Sequence, residues 1–146
     1  MQIITSKDNE NVKSIKKLKE KKHRIQQNCY LIEGIKIVAE AIQERVDIKK
    51  IVICEECIKN GAIDKKMMYE VAKYDCIYVS EAVFKILSDV ENPQGILAVV
   101  YNNSSSFDIN YSDDLILILD GIQDPGNLGT IIRTADSVRI KTNYNF

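Results

Sequence analysis

The sequence predicts a layered α/β fold, and three observations carry the prediction. Apolar strand-like runs alternate with segments of helical period through about residue 100. The runs "IVI" and "ILAVV" lack the polar alternation of a half-exposed strand, which suits a largely parallel sheet covered by helices. After a stretch rich in Ser, Asn and Asp, residues 101–113, the same pattern restarts once. With 146 residues, 45% of them apolar and 28% charged, the chain has material for one good core and the composition of a water-soluble protein.

Taken in order, Asn9 or Asn11 can cap a helix in which Val12, Ile15 and Leu18 form a narrow apolar stripe and lysines cover most of the rest. "CYLIEG" reads as a strand closed by Gly34, "IKIVAEAIQER" as a helix and "KKIVIC" as the next strand. "IDKKMMYEVAKYD" is helical, "CIYVS" a strand and "EAVFKILSD" a short helix. The turn Asn92-Pro93-Gln94-Gly95 leads into the strand "GILAVV". Past the linker, "LILIL" from Leu115 to Leu119 has the apolar continuity of a strand buried on both faces. Asn127 is placed to cap a helix starting at Leu128, with Leu128, Ile131, Ile132, Ala135 and Val138 on one face and Thr130, Arg133, Thr134 and Ser137 on the other.

Charge is unevenly spread. Residues 7–24 carry eight basic side chains against Asp8, Glu10 and Glu20, a local +5 within a chain of net −1. Lys13, Lys16, Lys17, Lys21, Lys22 and Arg24 are therefore candidates for holding RNA phosphates, although a solvated helix face accounts for the same residues. No apolar run approaches the roughly 18 residues of a membrane span, and the N-terminus lacks the order of a signal peptide, so a cytoplasmic protein is expected. The four cysteines fit reduced thiols, and the single Cys54-x-x-Cys57 pair lacks the second pair of a structural zinc site, so no metal is expected. His23 is the only histidine and sits in the basic run, which argues against Ser-His or Cys-His catalysis. Tyr30, Tyr69, Tyr74 and Tyr78 read as core or rim packing.

Around Arg133 the spacing puts a long cation, the bare backbone of Gly129 and an anion-favouring helix N-terminus on one open side. Composition and spacing equally allow a solvent-facing arginine beside a glycine-rich turn. The nucleotide fingerprints do not decide it: Asn127 stands where a phosphate loop needs lysine, and there is no Gly-x-Gly-x-x-Gly.

"LDGIQDPGNLGTIIRTADS" resembles the first signature motif of the SpoU-type ribose 2′-O-methyltransferases of the SPOUT superfamily. The family's Asn, Gly and Arg match Asn127, Gly129 and Arg133. The resemblance implies that Arg133 helps activate the ribose hydroxyl and that Asn127 orders the site. It extends to the family's N-terminal RNA-binding domain through Ser6, Asn9, Val12, Lys13, Lys21, Lys22, Arg24, Glu33, Gly34 and "NPQGILAVV". What it implies is a three-layer α/β/α sandwich akin to kink-turn-binding ribosomal proteins over residues 1–100, a linker at 101–113, and the first strand and helix of a SPOUT domain at 114–146.

The family's later motifs, which form the knot that binds S-adenosylmethionine and makes the homodimer, are not found, and "VRIKTNYNF" departs from the expected glycine turn and strand. The expectation is a shortened, inactive member that keeps its partner, structured ribosomal or transfer RNA, binds no S-adenosylmethionine of its own, and leaves the homodimer in doubt. The other reading is a non-catalytic RNA-binding module. Because a guanidinium is a poor base, electrostatic stabilisation of the developing alkoxide is the role expected of Arg133.

Overall fold

The computed structural model describes residues 2–103, 116–138 and 140–142. The chain divides into two compact units, Met1–Asn103 and Ser104–Phe146.

The first unit is built around a five-stranded sheet. Its strands are β1 (Ile3–Ile4), β2 (Cys29–Glu33), β3 (Ile48–Cys54), β4 (Cys76–Val79) and β5 (Ile96–Tyr101), ordered β1-β4-β3-β5-β2. Its helices are α1 (Glu10–Lys17), α2 (Lys21–Gln27), α3 (Ile35–Gln43), α4 (Glu55–Lys59), α5 (Lys65–Val71) and α6 (Glu81–Leu87). Ile51 to Cys54 in β3 and Ile96 to Val100 in β5 are buried without interruption, so both faces of the sheet centre are covered, as the unbroken apolar runs predicted. Phe84 and Leu87 of α6 and Val12 and Ile15 of α1 share that core.

The sheet is mixed rather than largely parallel. β4 pairs parallel with β1 and β3, but β5 runs antiparallel to both β3 and β2. An apolar run records burial on two faces and carries no information about strand direction. Two short elements escaped the sequence pattern, the two-residue edge strand β1 and the five-residue helix α4, each too short to show a period. Tyr101 closes β5, and the Asn102 N–H donates to the Asn28 carbonyl at 2.8 Å, so the sandwich reaches two residues further than the expected boundary. Residues 104–113 of the expected linker lie outside the described residues.

Asn9 caps α1, its Oδ1 accepting the Asn11 N–H at 2.9 Å. The basic segment is not one helix. After Lys17 the N–H groups of Leu18, Lys19 and Glu20 turn back to the carbonyls of Ile15, Lys16 and Lys17, and α2 restarts at Lys21. Arg24 holds the break. Its Nη1 donates to the Leu18 and Lys19 carbonyls at 3.1 and 2.7 Å, taking the acceptors that a continuous helix would offer to amides four residues on.

In the second unit, β6 (Ile116–Leu117) pairs parallel with β7 (Lys141–Thr142), and α7 (Pro125–Ser137) connects them. Among the described residues of "LILIL" the strand covers Ile116–Leu117, and Ile118 beyond it is 81% exposed; Leu115 lies outside the described residues. Strand β7 supplies β6 with its parallel partner. Helix α7 starts three residues before the expected Leu128. Asp124 is its cap, Pro125 takes the first position, and Asn127 lies inside the first turn. Of the predicted apolar face Ala135 is buried and Leu128, Ile131 and Ile132 are half-buried, whereas Val138 follows the last helical residue and is exposed.

Candidate nucleic-acid interface

The basic side chains of residues 7–24 separate into two groups by what they touch. Lys13 pairs with Asp8 at 3.1 Å, and Lys19 pairs with Asp89 at 2.9 Å while donating to the Ser88 carbonyl at 2.6 Å. Ser88 in turn donates from Oγ to Glu33 at 2.7 Å, which ties the α1–α2 junction to the end of β2 and to the loop after α6. Arg24 departs from the phosphate-contact expectation, because its guanidinium is half-buried against two main-chain carbonyls. The pattern of charges could not reveal this: a cation at the end of a basic run reads the same whether it faces water or caps the previous helix.

Lys16, Lys17, Lys21 and Lys22 form the other group, and Lys7, before α1, is likewise exposed and without an ion pair among the described residues. All four are exposed and make no ion pair among the described residues. They lie on the last turn of α1 and the first turn of α2. Four ammonium groups free of carboxylates and close in sequence can track phosphates, each displacing condensed counterions from the nucleic acid.

Between the two helices lies an open cleft of about 720 Å³, lined by Glu10, Lys13, Ser14 and Lys17 of α1 and by His23, Gln26 and Gln27 of α2. Sequence reasoning missed its neutral members. Adjacent glutamines after a basic run carry no periodic signal, and only the helix break turns them toward α1.

In the second unit, the geometry around Arg133 follows from the cap. Asp124 Oδ1 accepts the Asn127 N–H at 2.6 Å, fixing the first turn. Thr130 Oγ1 donates to the Gly126 carbonyl at 2.9 Å and accepts from Arg133 Nη2 at 3.3 Å. A Cβ on Gly129 would stand 3.2 Å from Arg133 Nη1, so the missing side chain is what lets the guanidinium lie back over the preceding turn. The structure thus brings Gly129, Thr130 and Arg133 together on the exposed flank of α7. Asn127 is exposed nearby, held through its backbone. The cap was legible as Asp124 before Pro125, an order in which proline supplies the first helical φ and needs no hydrogen-bond partner.

The flank is open rather than concave. Asp124, Gly126, Asn127, Thr130 and Arg133 are all exposed. Among all the described residues no helix is long and apolar enough to cross a membrane.

The first unit is a mixed α/β sandwich with exposed lysines on a broken helix pair, and the second is a strand–helix–strand unit with a capped Asp-Pro-Gly-Asn turn. The chain belongs to the family described as the MRM3-like substrate binding domain, whose model matches residues 9–98. It is 35% identical over 137 residues to the 23S rRNA (guanosine(2553)-2'-O)-methyltransferase RlmP of Bacillus subtilis (strain 168), a match covering 94% of this chain and 51% of that protein. Among solved structures, an RNA 2'-O ribose methyltransferase superposes with a TM-score of 0.75 at 30% identity, covering 99% of this chain and 57% of the other. An AdoMet-bound rRNA methyltransferase from Sinorhizobium meliloti gives 0.74 at 28% identity, covering 98% and 56%. The chain spans about half the length of these relatives.

Proposed function

We propose that this chain supplies the RNA-substrate-binding unit and the arginine-bearing helix for S-adenosylmethionine-dependent 2′-O-methylation of ribose in structured ribosomal RNA, in the cytoplasm. The observation that carries the reading is the set of four unpaired lysines, Lys16, Lys17, Lys21 and Lys22, on a unit that matches a substrate-binding family. A-form RNA offers side chains little sequence to read in its deep groove, so recognition rests on backbone shape and on unpaired nucleotides.

Methyl transfer needs a ribose hydroxyl that gives up its proton while an electrophile is held in line. Arg133 contributes positive charge where the alkoxide develops. Thr130 and the bare Gly129 hold the guanidinium in place for that task, and Asp124 fixes the turn that carries Asn127. S-adenosylmethionine supplies the methyl group. On this reading the 146 residues alone bind RNA and leave it unmethylated. The homodimer implied by the SPOUT resemblance belongs with the elements that enclose the donor.

Filter binding of ribosomal RNA fragments across a salt series tests the binding half. Replacing Lys16, Lys17, Lys21 and Lys22 with alanine reduces the log–log slope by about 0.7 to 0.9 for each phosphate no longer neutralised. An unchanged slope returns the lysines to a solvated face. For the chemical half, residues 1–137 are joined to the remainder of the Bacillus relative and assayed by tritiated-methyl incorporation. Arg133→Ala in this chimera lowers the rate roughly 10²- to 10³-fold, the usual loss for one donor to a developing oxyanion. Full activity would remove Arg133 from the chemistry, and incorporation by the 146-residue chain alone would refute its inactivity.

A further inference from the structure

The α1–α2 cleft has a different character from the lysine surface beside it. Beside the cations and Glu10 it is rich in uncharged hydrogen-bonding groups, Ser14, Gln26 and Gln27, with the His23 ring next to them, its Nε2 3.8 Å from Glu20. Ser14 Oγ meets Gln27 Oε1 at 3.5 Å, at the limit of a hydrogen bond, and Gln26 has no side-chain partner among the described residues. Both amides are therefore available to a ligand. Lys17, free of carboxylates, stands at the same cleft, and Lys13 reaches it from its pairing with Asp8. The V shape is locked rather than adjustable, because Arg24 fixes the end of α1 and Leu18 at the apex is 2% exposed. A volume of about 720 Å³ falls in the range of small-ligand sites.

We infer that this cleft binds a single unpaired RNA nucleotide, splayed out of its helix. The Gln26 and Gln27 amides hydrogen-bond the base edge, His23 offers an aromatic face for stacking, and Lys17 and Lys13 take the flanking phosphates. Neutral amides beside phosphate-holding cations are the arrangement by which proteins read unstacked bases, whereas a surface that only follows duplex backbone needs cations alone. The inference rests on the RNA-binding reading above and names the feature of the RNA that this domain selects.

The test uses the whole chain with two RNA hairpins identical except for one unpaired nucleotide, made with each of the four bases in turn. The parent chain binds at least one bulged hairpin about tenfold more tightly than the fully paired one, the scale of a stacked and hydrogen-bonded base. Gln26→Ala/Gln27→Ala abolishes that preference and leaves the salt slope unchanged. Lys17→Ala lowers the slope on both hairpins. Gln26 is exposed and Gln27 half-buried, so the variant folds, which circular dichroism verifies. Photocross-linking from a 4-thiouridine at the bulge places the adduct within residues 23–27. Equal binding of bulged and paired hairpins by the parent, or a preference that survives in the double glutamine variant, overturns the cleft while leaving RNA binding intact. Failure of the parent to bind either hairpin overturns both readings.

Discussion

Arg24→Ala separates a positioning role from a phosphate contact. In the structure Arg24 Nη1 bridges the Leu18 and Lys19 carbonyls at 3.1 and 2.7 Å, where α1 ends and the chain bends into α2. A hydrogen bond from a charged donor contributes about 1.5 to 3 kcal/mol, and a cation at a helix C-terminus adds roughly 0.3 to 1 kcal/mol. Water can reach the Lys19 carbonyl once the side chain is gone, so the loss falls at about 2 to 3 kcal/mol rather than at the sum. For a unit of this size that lowers Tm by roughly 8 to 24 °C, and the urea midpoint falls by about 1 M at a typical m-value. Urea unfolding followed by circular dichroism measures the first effect, and RNA binding across a salt series on the folded variant measures the second. Lys17→Ala is the control, with an unchanged midpoint and a lower salt slope. The reasoning fails if Arg24→Ala keeps the parent midpoint and lowers the salt slope as Lys17→Ala does, because the guanidinium would then be facing RNA rather than the helix end.

Gly95→Ala tests the turn into β5. Gly95 has φ +76° and an added Cβ would stand 1.8 Å from Cys57 Sγ, so the cost is about 2 to 5 kcal/mol from left-handed strain and overpacking together. Adding Cys57→Ala should restore part of that loss in urea unfolding, and no recovery would show that the sulfur is not the obstacle. Asp124→Ala removes the cap of α7 and costs about 1 kcal/mol, seen as faster hydrogen exchange at the Asn127 amide while β3 keeps its protection. Burial, and next the neighbouring Asp75, push the Cys76 thiol up to about 11 against an ordinary 9.0. Its contribution to stability is complete below pH 9 and disappears as pH rises through 11. The stability difference between the parent and Cys76→Ala, from urea midpoints at pH 8 to 11, therefore shrinks over that window, and a constant difference would refute the shift.

The sequence by itself determined what depends on near neighbours along the chain. Asn9 at the start of α1, the stripe of Val12 and Ile15, the buried runs of β3 and β5, and the approach of Arg133 over Gly129 one turn earlier are set by caps, periods and i,i+4 spacing. Asp124 before Pro125 was legible in the same way, though Asn127 three residues after Asp124 offered a competing cap of the same chemistry. Only the tertiary structure decided the antiparallel placement of β5 between β3 and β2, since an apolar run records burial and not direction. It also decided which cations are free. Asp89 reaches Lys19 from a distant part of the chain, and Arg24 turns back on carbonyls that exist as acceptors only because the helix breaks. Charge and apolarity are properties of single residues, but a partner across the fold exists only once the chain has closed around the core and fixed which groups water can reach.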